Sequence, residues 1–167
     1  MSATLHLERN WLLELAGELM DGHVSYKFGS KPLLTKEPSE VTSADCSGFV
    51  RYLLYRASDM QIKIPAGSWN QEDWCKKTGL PKVEYSTAAN NDGWLRIAYL
   101  PKKNGHPRHV WLILNGRTIE SRGGVGPDRR AWDTPVLKNN AHACFKLAQM
   151  YTLELGPITV NGLACCP

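Results

Sequence analysis

No segment of the sequence has the length and apolar character of a membrane span or an export signal. None of the 167 residues lies in a run of about 20 apolar residues, the length that a transmembrane helix needs. The segment from Met1 to Met20 alternates leucine with glutamate, histidine and arginine, which predicts an amphipathic helix and not a secretory signal peptide. We therefore expect synthesis in the cytoplasm without a signal peptide, and delivery by another route if the protein acts elsewhere.

The cysteines are too few and too irregularly placed for a disulfide framework or a metal centre. There are five, an odd number, and none follows a metal-ligand spacing. The adjacent Cys165 and Cys166 rarely bond to each other, because that ring is strained. The sequence predicts a protein made in a reducing compartment, with no metal and no other cofactor. It leaves the redox state of Cys75, Cys144, Cys165 and Cys166 open.

Two further absences disfavour nucleotides and nucleic acids as partners. The glycine-rich segment 121–130 lacks the Gly-Lys-Ser/Thr of a phosphate-binding loop. The basic residues are scattered and form no stripe, as a nucleic-acid groove would require. The net charge of +4 favours approach to an anionic polymer without selecting one.

The bulk composition is that of one globular domain. Hydrophobic residues make up 43% of the chain and charged residues 22%, both ordinary values for such a domain. There is no internal repeat or low-complexity tract. A chain of 167 residues can bury one proper core but not two, so we predict a single domain over 1–167.

The reactive chemistry that the sequence predicts centres on the run from Ser43 to Val50. Small polar residues end at Asp45, and apolar residues then recur at helical spacing through Ala57. Ser43 and Asp45 are both favourable N-cap residues, so a helix is predicted to begin within a residue or two of Cys46. The positive end of a helix favours a thiolate, which makes Cys46 a candidate nucleophile. The alternative is a small buried cysteine that opens a helix.

Apolar periodicity predicts the other elements. Helical spacing indicates a helix from about Glu8 to Met20 and another from Ser68, as its N-cap, to Lys77. Alternation predicts a half-buried strand over 94–100 and a further strand over 143–155. The segment 31–42 is interpreted as a surface loop.

A β-hairpin is predicted downstream. Residues from His109 to Leu114 form an apolar strand, Asn115-Gly116 is a favoured two-residue turn, and a second strand returns to Glu120. This pairing brings His109 close to the Glu120 end of the returning strand. A histidine has a pKa near neutrality and can take up and return a proton.

Four segments of the chain resemble motifs of the NlpC/P60 family, papain-like cysteine peptidases that cut peptidoglycan stem peptides. Asp45-Cys46-Ser47-Gly48-Phe49 is similar to the family's nucleophile motif. The other three matches are Tyr26-Lys27-Phe28-Gly29, the set Pro65, Ser68 and Gln71, and the strand opening His109-Val110. The chain departs from the family where Trp111 replaces a glycine, where Ala66 and Gly67 replace arginine and threonine, and at Asp92-Gly93-Trp94-Leu95. The resemblance covers roughly residues 24–124.

The resemblance implies an α+β, papain-like NlpC/P60 fold, with N-terminal helices packed on a small antiparallel β-sheet. It also implies a catalytic set: Cys46 as nucleophile, His109 as general base, and Glu120 as the group that orients the imidazole. An ordinary surface glutamate at a strand end is the alternative for Glu120. His106, on the preceding turn, is a weaker candidate for the base.

The resemblance further implies substrate contacts by Tyr26, Asp45 and Ser47, with Asp45 suited to a free amino terminus. Ser68 and Gln71 are expected to face the substrate as well. Arg122 in the glycine-rich loop, with Arg129 or Arg130, is a candidate to bind a substrate carboxylate. The alternative for this loop is a solvated arginine-rich surface.

The implied reaction is hydrolysis of an amide bond in peptidoglycan stem peptides, between D-glutamate and the following diamino acid. Two delivery routes suit an enzyme without a signal peptide: injection as an antibacterial effector, or action as a phage lysin. In the first case we expect a small immunity protein as partner. The alternatives are a papain-like deamidase or acyltransferase acting on a protein or lipid, and a non-catalytic wall-binding module.

Overall fold

The computed structural model describes residues 5–103 and 107–153, so His106, Cys165 and Cys166 lie outside the described residues. The described parts contain four α-helices, six strands and two short 3₁₀ turns at Pro38–Glu40 and Tyr85–Thr87. In chain order the helices and strands are β1 (His6–Glu8), α1 (Arg9–Leu19), α2 (Cys46–Ala57), α3 (Ser68–Lys77), β2 (Trp94–Leu100), β3 (His109–Leu114), β4 (Arg117–Arg122), β5 (Gly126–Asp128), α4 (Pro135–Asn140) and β6 (Ala143–Tyr151).

Helix α2 begins where the sequence predicts it. Cys46 is its first residue, and the N-cap Asp45 has an extended backbone and accepts the Gly48 N–H at 2.7 Å. The helix is buried on most sides because it packs between α1 and the strands β3 and β4. Phe49 is 1% exposed, and burial of such a side chain contributes roughly 2 kcal/mol. The nucleophile motif therefore lies at the centre of the fold.

The six strands form one sheet in the order β1-β6-β2-β3-β4-β5. All neighbouring pairs are antiparallel except β1 and β6 at one edge, which are parallel. Helix α2 packs on one face of this sheet and α1 packs on α2, and the main core lies among these helices and the strands. The predicted α+β class is confirmed, with one parallel pair added at the sheet edge.

Strand β2 differs from its prediction as a half-buried strand, because all five of its inner residues are buried. Leu95, Ile97 and Tyr99 face the main core. On the opposite face Ala98 packs in a second apolar cluster, which includes Trp111. Arg96 is 2% exposed, and its Nη2 and Nη1 donate to the Asp92 carboxylate at 2.7 and 2.9 Å. The alternation of polar and apolar residues in β2 does not predict burial of this second face, because the residues that cover it come from distant segments of the chain.

The predicted hairpin of β3 and β4 is confirmed. Leu112 pairs with Ile119 and Leu114 pairs with Arg117, so the turn consists of Asn115 and Gly116. Both turn residues have positive φ, of 50° and 73°, which is the conformation that favours Asn-Gly in a two-residue turn. The turn fixes the register, and the register decides which side chains of the two strands meet.

The two other predicted helices, α1 and α3, are close to their predictions, with one correction, whereas α4 was not predicted. Helix α1 has Glu8 as its N-cap and Met20 as its C-cap. In α3, Ser68 is the first helical residue and not the N-cap, a position taken by Gly67 with a φ of 89°. Across residues 5–103 and 107–153, every helix is too short or too polar to cross a bilayer.

Candidate active site

Cys46 lies at the junction of the helical half and the sheet. It is the first residue of α2 and is 6% exposed. Its sulfur is 3.9 Å from the backbone carbonyl oxygen of Arg108, the residue before β3. The first N–H groups of a helix have no acceptor within the helix, so the thiol lies beside backbone donors. The same end of the helix dipole favours negative charge.

His109 connects this thiol to a carboxylate. It opens β3, its side chain is 15% exposed, and its Nε2 lies 2.7 Å from Oε2 of Glu120. Burial lowers the pKa of His109, but interactions with Cys46 and Glu120 outweigh it and raise the pKa to about 9. The imidazole therefore lies between a thiol and a carboxylate and is stabilised in its protonated form.

Glu120 is not a surface residue at a strand end. Its side chain is fully buried, and besides His109 it accepts hydrogen bonds from Thr118 and Arg130. Burial raises the pKa of Glu120, but the hydrogen bonds from these three residues lower it to about 2. The carboxylate is therefore ionised at neutral pH and fixed in one orientation.

Two residues that contact this set were missed by sequence reasoning. Arg130 was one of three arginines offered as candidates to bind a substrate carboxylate, but its Nε and Nη2 donate to Glu120 at 2.7 and 3.1 Å. Trp111, noted in the sequence only as a replaced glycine, stacks on the imidazole of His109 with centroids 5.5 Å apart and an interplanar angle of 18°. The two-residue periodicity of β3 could have indicated this neighbour, since residues 109 and 111 share a face.

Arg130 reaches Glu120 because the glycine-rich segment contains a strand. Residues Gly126–Asp128 form β5, which pairs with β4 and sets Asp128 opposite Glu120. Arg130 follows this strand by two residues. The segment was predicted as a loop, because three residues that include glycine and proline give no strand pattern.

An open cavity of about 760 Å³ lies beside His109. Tyr26 and Arg122 line it, as their predicted substrate contacts require, and the exposed Phe28 forms part of its wall. Two guanidinium nitrogens of Arg122 donate to Asp128, at 2.6 and 3.0 Å. Burial raises the pKa of Tyr26, and the nearby Cys46 adds to this shift. We call this space the His109 cavity.

The remaining predicted substrate residues do not line the His109 cavity. Gln71 is fully buried and donates to the backbone carbonyls of Ser47 and Pro65, so it ties α3 to the first turn of α2. Ser47 is 3% exposed and donates to Asp45. Ser68 is half-buried at the start of α3. The side chains of Ser47 and Gln71 hold the first turn of α2, which contains Cys46, in place.

Asp45 also has protein partners where a substrate amine was expected. Its side chain is 6% exposed and forms an ion pair with Lys31. Its other donors are the backbone N–H groups of Gly29 and Gly48 and the hydroxyl of Ser47. Among the residues that the structure describes, no three His, Cys, Asp or Glu side chains are grouped to hold a metal ion.

Comparison with known proteins supports the fold. No protein-family model and no curated protein matches the sequence. Among solved structures, the chain is similar to a protein from Staphylococcus aureus subsp. aureus Mu50 described as similar to a lipoprotein of the NLP/P60 family, with a TM-score of 0.56 and 17% identity. The likeness covers 89% of this chain and 45% of that protein, so this chain spans less than half of its length. The predicted NlpC/P60-like fold is confirmed, and a likeness at this identity shows the fold alone.

Proposed function

We propose that this protein is a cysteine peptidase that hydrolyses an amide bond in peptidoglycan stem peptides. The observation that carries the proposal is the set of Cys46, His109 and Glu120, in which His109 interacts with both other residues and lines an open cavity. Such a set has the three parts that an activated nucleophile requires: the nucleophile, its base, and a group that orients the base. The NlpC/P60-like fold supports the choice of substrate.

The geometry suggests a two-step reaction. In the reactive form the proton of Cys46 has already passed to His109, as the imidazolium that Glu120 stabilises, and the sulfur attacks the amide carbonyl carbon to form a tetrahedral intermediate. His109 then donates that proton to the leaving amine as the C–N bond breaks, which leaves an acyl-enzyme. A water molecule, deprotonated by His109, hydrolyses the thioester and restores the thiol.

Backbone and carboxylate groups stabilise the charges that develop. The N–H groups of Cys46 and Ser47 belong to the first turn of α2, so they are available to the oxyanion. Glu120 stabilises the imidazolium by accepting a hydrogen bond from its Nε2. The other ring nitrogen, Nδ1, is then available to the thiol. Arg130 in turn keeps Glu120 ionised.

The charge of the His109 cavity suits an acidic peptide. Lys102, Arg108, Arg122 and Arg130 line it, and none of its lining residues in the described part of the chain is a carboxylate. Stem peptides carry the carboxylates of D-glutamate and of a diamino acid. We infer that the bond between these two residues is cut and that Arg122 and Tyr26 contact the substrate.

The test is incubation with soluble muropeptides followed by mass spectrometry. The wild-type protein is expected to yield new fragments, whereas Cys46→Ala and His109→Gln yield none above background. His6→Gln, a change at an exposed histidine in β1, is the matched control and should cleave at the wild-type rate. Intact muropeptides with a wild-type protein whose Cys46 is rapidly alkylated would favour a deamidase or acyltransferase instead. An inert Cys46 would favour a non-catalytic wall-binding module.

We further propose that the protein acts on the cell wall of another cell, as an injected effector or a phage lysin. Expression in a bacterium with an added export signal is expected to cause lysis, whereas cytoplasmic expression is tolerated. The Cys46→Ala protein should be harmless in both compartments. If a co-expressed small protein suppresses lysis and binds the enzyme, the effector role and its immunity partner are supported.

A further inference from the structure

The carboxylate of Asp45 has no hydrogen-bonding capacity left for a ligand. Oδ1 accepts the Gly48 N–H at 2.7 Å and the Ser47 hydroxyl at 3.0 Å. Oδ2 accepts the Gly29 N–H at 3.1 Å and contacts the Lys31 ammonium. Two carboxylate oxygens offer about four acceptor positions, and all four are in use.

The lysine is held at this place by the backbone around it. The Asp45 N–H donates to the Ser30 carbonyl at 3.0 Å, and the Ser30 hydroxyl bonds to Ser43. A Cβ at Gly48 would lie 2.5 Å from the Ser30 carbonyl oxygen and 3.1 Å from Cα of Lys31. The segment before Lys31 is therefore packed directly on the first turn of α2. The Lys31 side chain is 28% exposed, so its ammonium lies at the surface and not in the core.

The neighbouring cavity also disfavours a positive group. Four cationic side chains line the His109 cavity: Lys102, Arg108, Arg122 and Arg130. Three of them pair with Glu72, Asp128 and Glu120, none of which lines the cavity. An incoming ammonium would meet these cations and, among the described residues, no lining carboxylate.

We propose that Lys31 is a specificity-determining residue, whose ammonium occupies the position beside Asp45 that the amino terminus of a substrate would need. The enzyme then acts on peptides whose amino end is acylated, as it is when the stem is still joined to the glycan strand. Free amino-terminal peptides, the products of earlier cleavage, are poor substrates. This inference rests on the proposed peptidase function and concerns the same site.

The test uses two stem peptides of identical sequence that differ only by acetylation of the amino terminus. The wild-type enzyme is expected to favour the acetylated peptide by roughly tenfold in kcat/KM, since like charges brought together in a binding site repel each other. Lys31→Met should reduce this preference to near unity by accelerating cleavage of the free peptide. Lys31→Arg keeps the cation and should keep the preference. Lys27→Met, a change at a nearby exposed lysine, should also keep it.

The outcomes separate this inference from the proposed function. Preference of the wild type for the free peptide, or an equal preference in wild type and Lys31→Met, would overturn the role of Lys31. If the wild type cleaves neither peptide, the peptidase proposal is contradicted, and calorimetric binding of both peptides to Cys46→Ala protein decides the inference. The role of Lys31 is supported if Cys46→Ala protein binds the acetylated peptide more tightly than the free one and if this difference disappears in the Cys46→Ala, Lys31→Met double variant. Equal binding of the two peptides, or no binding of either, overturns the role. Thermal unfolding of each variant identifies loss of fold.

Discussion

Two buried carboxylates, Glu120 and Asp45, lie beside Cys46 and His109, and they have different partners. Glu120 is fully buried and Asp45 is 5% exposed, and each is paired with a cation that lies partly at the surface. Glu120 directs one oxygen to His109, whereas every partner of Asp45 belongs to the turn around α2 or to the segment before it. Under the proposed function, Glu120 would act on the reaction through His109, while Asp45 would act on the shape and charge of the site around it.

The largest expected effect is on catalysis, and it distinguishes the two carboxylates. Glu120→Gln removes the charge that stabilises the imidazolium of His109, so kcat should fall by about a thousandfold, within the range known for general acid–base groups. Asp45→Asn keeps an oxygen to cap α2, so kcat should fall by less than tenfold. Steady-state kinetics on muropeptides measures both. Equal losses in the two variants, with unchanged thermal unfolding, would contradict the division of roles.

The next effect is on stability and compares the two cations. Arg130→Met leaves the buried charge of Glu120 without its guanidinium, so the free energy of unfolding should fall by about 3 kcal/mol. Lys31→Met should lower it by only about 1 kcal/mol, because Asp45 retains the N–H groups of Gly29 and Gly48. Urea denaturation measures both changes.

Arg122→Met is the matched control for this stability comparison. Its guanidinium pairs with Asp128, and both side chains are about one-third exposed, at 34% and 29%. A change in unfolding free energy of less than about 1 kcal/mol is expected for such a pair. If Arg130→Met is no more destabilising than this control, the Glu120 carboxylate does not depend on its arginine.

A smaller effect concerns the packing beneath Asp45. Gly48→Ala would place a Cβ 2.5 Å from the backbone oxygen of Ser30, so unfolding free energy should fall by about 2 kcal/mol. Gly17 lies in α1 with no heavy atom within 4 Å of an added Cβ. Gly17→Ala should therefore stabilise the protein by about 0.5 kcal/mol through helix propensity. Thermal unfolding of both variants tests whether the contact between Ser30 and Gly48 is as tight as described.

The parts of the site that sequence predicts are those encoded locally. The cap residue Asp45 and the apolar spacing behind it place Cys46 at a helix start, and Asn115-Gly116 fixes the hairpin that brings His109 to Glu120. Each of these signals lies within a dozen residues of its effect. They suffice to predict the α+β class and the three candidate catalytic residues.

The parts that sequence does not predict depend on long-range contacts. Lys31 lies in a segment interpreted as a surface loop, and its pairing with Asp45 depends on backbone contacts of Ser30. Arg130 contacts Glu120 only because three residues of a glycine-rich segment add a strand to the sheet. Such short strands form because a sheet edge is available and not because of their own propensity. The local sequence of residues 126–128 does not indicate that the edge of β4 is available for pairing.

The last prediction concerns pH and uses the base itself as the probe. Burial lowers the pKa of His109, but Cys46 and Glu120 raise it to about 9. A raised pKa means that the imidazolium is present at neutral pH and is lost as pH rises through about 9. The leaving amine needs that proton, so kcat/KM should fall about tenfold for each pH unit above this value. The contribution of this proton to the free energy of unfolding should be fully present below about pH 6.5 and should be lost as the pH rises from there through about 9.

Titration of the His109 ring by NMR checks this value directly. In the wild type the ring is expected to titrate near pH 9, and in Glu120→Gln at a lower pH, because one of the two interactions that raise its pKa is gone. Asp45→Asn should leave the titration nearly unchanged, since Asp45 makes no hydrogen bond to the imidazole in the described structure. If Asp45→Asn moves the titration as far as Glu120→Gln does, the two carboxylates act on the base alike, and the distinction between them fails.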